Sequence, residues 1–75
     1  MTTQQKQLHK RIGAEIHRLR RSRDVTQEAL GRRIRLSRTS VTNIESGRQR
    51  TSLDVLFAIA RTLKTLPSDI VRCAE

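Results

Sequence analysis

The chain has 75 residues, 35% of them apolar, and carries sixteen Lys and Arg against seven Asp and Glu, for a formal net charge of +9. That length makes one domain, 1–75, with a small core and little stability to spare, so a bound partner or second copy would add usefully to it. No apolar run approaches a membrane span, MTTQQKQLHKR lacks the apolar core of a secretory leader, and a lone Cys73 excludes an internal disulfide. The chain reads as cytoplasmic with no membrane association, and the Arg-rich charge points to a polyanionic partner.

Val, Ile and Thr are dispersed and no two-residue alternation persists, so the periodicity predicts helices throughout. Leu8, Ile12, Ile16 and Leu19 mark the inward stripe of a first helix from about residue 5 to residue 22, ended by Asp24 and Val25. Thr26 is the expected N-cap of a second helix, with Glu28 in its first turn. Ala29, Leu30 and Ile34 face inward there, and Gly31 leaves room for another helix to approach. Ser37 caps a third helix with Val41 and Ile44 inward, stopped by Gly47 at a left-handed position. After the basic loop RQRT, Ser52 caps a fourth helix with Leu53, Leu56, Phe57, Ala60 and Leu63 inward. Pro67 opens a short fifth helix carrying Ile70 and Val71. The predicted class is all-α, a compact five-helix bundle.

Nothing in this pattern predicts catalysis. His9 and His17 stand eight residues apart with no Cys, Asp or Glu cluster to complete a metal site. There is no glycine-rich phosphate loop and no activated-nucleophile motif, so no cofactor and no small-molecule ligand are expected. Phe57 is the one aromatic residue, and its expected burial disfavours recognition of single strands by base stacking.

The third helix is unusual. At about 100° per residue from Arg38, Val41 falls near roughly 300° and Ile44 near roughly 240°. The opposite face holds Thr39, Thr42, Asn43 and Ser46, with Arg38 and Ser40 at its margins. A helix made only for solubility would carry Glu and Lys there, both better helix formers than Thr, Ser or Asn. Short hydrogen-bonding groups without acidic charge suit a DNA groove; the competing reading is a capping cluster, which fits Ser37 but not Asn43.

Residues 12–63 resemble the lambda-repressor-like helix-turn-helix family of phage repressors and Cro proteins, the Cro/C1 type. The matching residues are Ile12-Gly13, Ile16, Leu19-Arg20, Thr26-Gln27-Glu28, Leu30, Ser37-Arg38, Val41, Ile44-Glu45, Gly47, Ser52-Leu53, Leu56, Ala60 and Leu63. The resemblance implies a five-helix domain, helix-turn-helix proper at 26–46, acting as a symmetric dimer with its third helix in the major groove. It also implies that Arg38, Thr39, Ser40 and Asn43 read bases, for which Arg suits guanine, Asn adenine and a Thr methyl thymine. Gln27, Thr42, Ser46, Arg48 and Arg50 would contact phosphates, and Arg35 is placed to reach one. Arg20 and Glu45 would form an ion pair joining the first helix to the third. The chain departs from the family at Asp24, Arg35 and Lys64, where glycine is usual, and at Leu66, where a polar N-cap is usual.

The segment LPSDIVRCAE, 66–75, is the expected dimer surface, because adjacent Ile70 and Val71 project to different sides of a short helix; the alternative is a lid over the core. The sequence therefore predicts a stand-alone, sequence-specific regulator of transcription, of phage-repressor or restriction–modification controller type, binding double-stranded DNA at a palindromic operator as a homodimer. Two other readings stay open: an antitoxin-type module that neutralises a partner protein and autoregulates, and a nonspecific basic binder of nucleic acid or membrane.

Overall fold

Hydroxyl side chains start four of the five helices. Thr2, Thr26, Ser37 and Ser52 accept from the backbone N–H groups of Gln5, Ala29, Ser40 and Val55 at 3.0–3.2 Å, each cap contributing about 1 kcal/mol. The computed structural model describes residues 1–74 as α1 (Thr3–Ser22), α2 (Gln27–Ile34), α3 (Arg38–Glu45), α4 (Leu53–Thr62) and α5 (Pro67–Val71), followed by a single 3₁₀ turn (Arg72–Ala74). The first helix begins earlier than its apolar stripe predicts, because Thr2 and Gln5 form a reciprocal capping box. Leu66 precedes α5 without a side-chain cap, and Pro67 at its start replaces one orphan N–H. Among the described residues no helix is long and apolar enough to cross a membrane.

The core runs through all five helices: Ile12, Ile16 and Leu19, then Leu30 and Ile34, Val41 and Ile44, Leu56, Ile59, Ala60 and Leu63, and Ile70. Two helix faces differ from the sequence expectation. Leu8 is exposed, since α1 outruns the short helices that pack on it. On α4 the buried stripe is Leu56, Ile59, Ala60 and Leu63, which leaves Leu53 69% and Phe57 47% exposed. Both stripes satisfy helical spacing, and the one containing Ile59 is the one that faces α2 and α5.

Two glycines set how closely α3 and its following loop approach α1. A Cβ on Gly13 would collide with the Ile44 carbonyl and sit 2.6 Å from the Glu45 carbonyl oxygen, so α1 lies directly on the end of α3. Gly47 takes φ +80° with the Lys10 Cα 2.6 Å from where its own Cβ would be. At Gly31 the group that comes close is the Leu36 carbonyl in the next turn rather than another helix.

Asp24, Arg35 and Lys64 keep left-handed backbones, with φ of 54°, 61° and 55°. The turns are thus retained without glycine, and the strain is carried by L side chains. Asp tolerates this region better than Arg or Lys. Arg35→Gly and Lys64→Gly are each expected to stabilise the fold by about 0.5–1 kcal/mol, after the entropy gained by the unfolded chain is subtracted. Asp24→Gly should gain less. Thermal melting checks this; equal or lower melting temperatures for the Arg35 and Lys64 variants would show unstrained turns.

Candidate nucleic-acid interface

The outward face of α3 is built by what its inward face must do. Val41, Ile44 and Glu45 are buried, which turns Arg38, Thr39, Thr42 and Ser46 to the surface and leaves Ser40 and Asn43 half-buried. Among the described residues the side chains of Arg38, Thr39 and Asn43 make no hydrogen bond within the chain, so their donors and acceptors are open to a ligand. Ser40 is less available, since its hydroxyl accepts from Ser37 Oγ at 3.2 Å. Ser46 Oγ donates to the Asn43 carbonyl at 3.1 Å. Arg38 lines one cleft with Thr26, Gln27 and Glu28 at the start of α2, so the two helices of the motif share a surface.

Beneath this face lies a polar chain through three helices. Arg20 Nε donates to Glu45 Oε2 at 2.6 Å and its Nη2 to Oε1 at 3.2 Å, both residues being buried. His17 Nδ1 approaches Glu45 Oε1 at 2.8 Å, and Gln27 Nε2 donates to the same oxygen at 3.1 Å. Gln27 Oε1 in turn lies 3.0 Å from Thr42 Oγ1, which also lies 3.0 Å from the Arg38 carbonyl and has one proton to give. The Gln27 amide is therefore held by Glu45 through Nε2 and by a share of the Thr42 proton through Oε1, and one of its N–H groups has no partner among the described residues. Arg20 Nη1 further donates to the Val25 carbonyl at 2.8 Å, tying down the loop between α1 and α2. Burial alone would raise the Glu45 pKa, but the hydrogen bonds from Arg20, His17 and Gln27 and the Arg20 charge outweigh it and hold the carboxyl below the ordinary glutamate value.

The loop after α3 brings together cations that lie far apart in sequence. Because Gly47 packs on the Lys10 backbone, Lys6 and Lys10 share a groove with Ser46 and Arg48. Arg50 Nη2 donates to Gln5 Oε1 at 3.3 Å, which binds the same loop to α1. No acidic residue occurs in residues 1–14 or 46–53, so this edge of the surface is uniformly basic. The sequence pattern marked Arg48 and Arg50 but not the two lysines, whose proximity depends on the Gly47 contact. Arg35 is exposed in the turn between α2 and α3.

The expected dimer residues are placed differently. Ile70 is fully buried in the core of the single chain and offers no surface to a second copy, while Val71 is half-buried against that core. Through these two residues the segment packs over the core of its own chain, while Leu66, Arg72 and Cys73 stay exposed; its last residue, Glu75, lies outside the described residues. Cys73 Sγ donates to the Ile70 carbonyl at 2.8 Å, and its burial and the Glu15 charge raise its pKa, which suppresses the reactive thiolate. Phe57 is exposed, contrary to expectation, yet a lone ring beside Asp54 is no platform for successive bases.

A family model for a helix-turn-helix domain matches residues 11–72. Among solved structures, the clp gene regulator ClgR from Corynebacterium glutamicum is similar with 25% identity and a TM-score of 0.86, over 89% of this chain and 71% of that one. A second ClgR structure gives a TM-score of 0.84 at 25% identity, over 89% and 87%. The restriction-modification controller protein C.AhdI from Aeromonas hydrophila is 26% identical with a TM-score of 0.78, over 81% of this chain and 92% of that one. No curated protein sequence matches the chain significantly.

Because the folded-state carboxyl of Glu45 titrates below its ordinary value of 4.5, it stabilises the fold above that pH, and the contribution is lost as pH falls through the lowered value. Glu45→Gln should cost about 3 kcal/mol at neutral pH by leaving Arg20 buried and unpaired. It should also flatten the loss of stability on acidification. Urea unfolding across the acid range measures both; parallel pH curves for the two proteins would contradict the role given to this carboxylate.

Proposed function

This chain belongs to the helix-turn-helix domain family, and from that premise we propose that it is a sequence-specific transcriptional regulator acting in the cytoplasm, which binds a palindromic operator as a homodimer through the major groove. The carrying observation is the outward face of α3, where Arg38, Thr39 and Asn43 stand with unengaged polar groups. Arg38 offers paired donors for the two acceptors of a guanine edge, Asn43 a donor and an acceptor for an adenine edge, Thr39 a methyl for thymine, and half-buried Ser40 adds a short-range contact. The free N–H of Gln27, at the start of α2, faces a phosphate; Thr42 orients that amide. Ser46, Arg48 and Arg50, joined by Lys6 and Lys10, grip the backbone on one side, and Arg35 does so at the turn. That ClgR is a regulator and C.AhdI a controller protein supports regulation over catalysis and over a toxin-binding role.

Selection of a preferred duplex from a randomised pool supplies the probe. Arg38→Ala should cost about 1–3 kcal/mol on that duplex and relax its sequence preference. Arg48→Ala should weaken selected and scrambled duplexes alike and lower the slope of log affinity against log salt by about 0.9. The pair Lys6→Gln and Lys10→Gln should lower that slope by about 1.8. Equal losses on selected and scrambled DNA from Arg38→Ala would overturn the assignment of α3 as the reader.

A further inference from the structure

The homodimer needs a face, and Ile70 cannot supply one. Beyond the first helix in the chain, the large exposed apolar groups among the described residues are Leu53, Phe57 and Leu66. Leu53 and Phe57 share one side of α4 with Asp54 and Arg61, and the four line a common groove. At about 100° per residue they span an arc of about 100°, roughly 120° away from the buried stripe. Nothing within the described residues covers this arc.

Its charges are arranged around its ring. Asp54 and Arg61 lie seven residues apart, about 10.5 Å along the axis, too far to pair with each other. Among the described residues neither takes part in an ion pair, and both complement the α4 dipole where they stand. Phe57 lies almost midway between them. A twofold axis through the midpoint of Asp54 and Arg61, with α4 packed antiparallel on its copy, sets Asp54 opposite the partner's Arg61 and Arg61 opposite the partner's Asp54. The two Phe57 rings then meet at the centre, offset by about 1.5 Å. A surface made for an acidic or a basic partner would carry one sign of charge. This one carries both, placed symmetrically about an apolar centre, which is the self-complementarity of an isologous contact.

We infer that the Leu53, Asp54, Phe57 and Arg61 face of α4 is the self-association surface of this chain, held by two reciprocal Asp54–Arg61 pairs around a Phe57–Phe57 contact. The inference deepens the homodimer part of the proposed function and rests on it for its purpose, while its first test involves no DNA. Sedimentation equilibrium of the free protein, taken up to near-millimolar concentration, should show a monomer–dimer equilibrium. Asp54→Arg and Arg61→Asp should each leave a monomer, and the two together should restore the dimer. Circular dichroism on each variant confirms that helix content is kept, and Phe57→Ser gives a second route to the monomer without altering charge. The single variants should still bind a half-site duplex, because α3 is untouched, but lose tight binding to the full selected site. A protein that stays monomeric at every concentration, a dimer that survives the single reversals, or a swap that fails to restore it overturns the inference. Failure of the DNA reading looks different: the masses behave as stated, yet no duplex is preferred.

Discussion

Glu45 is where the three helices of the DNA-binding half meet. One carboxylate at the end of α3 takes hydrogen bonds from Arg20 and His17 of α1 and from Gln27 of α2. Compared with apolar side chains packed in place of the whole pair, such a group adds little stability, because removing two charges from water costs about as much as their attraction returns; the large cost comes from removing one partner alone. Its effect is on arrangement. A buried carboxylate must find its donors, and the donors here exist in one register of α3 against α1. Gly13 enforces the same register sterically, since its missing side chain lets the Ile44 and Glu45 carbonyls rest on α1. Polar and steric constraints thus select the same rotation of α3, and that rotation turns Arg38, Thr39 and Asn43 outward.

The same chain of bonds divides the labour on the surface. Side chains tied into it, Gln27 and Thr42, are preorganised and have few groups left to offer. Arg38, Thr39 and Asn43 are unengaged and can adapt to base edges. Around them the cations of α1 and of the loop after α3 form one basic edge, held by the Gly47 contact and the Arg50–Gln5 bond. In the proposed complex the rigid anchors would set the docking position, and the freer side chains would then meet the groove at a fixed depth.

Much of this is written locally in the sequence. Thr26, Ser37 and Ser52 cap helices because a hydroxyl reaches the N–H three residues on, whatever surrounds it. The polar face of α3 is legible for the same reason, its short helix leaving one rotation that buries Val41 and Ile44. What could not be read depends on distant partners. On α4 two stripes obey helical spacing, and packing against α2 and α5 alone chooses Ile59 over Leu53 and Phe57. Ile70 and Val71 being adjacent says that they point apart, but not which of them meets the core. The double tether of Gln27 and the approach of Lys6 and Lys10 to Arg48 join residues far apart in the chain, and no periodicity announces them.

The central claim is that α3, fixed from below by Glu45, presents its outer side chains to base edges. Titrating the isotope-labelled protein with its selected duplex and following the side-chain signals of Arg38, Asn43 and Gln27 by nuclear magnetic resonance tests it directly. Large shifts and slowed exchange at these three groups, with the Glu45 contacts to His17 and Arg20 unchanged, are the expected result. Tight binding of the duplex with the Arg38 and Asn43 signals unmoved would contradict the account.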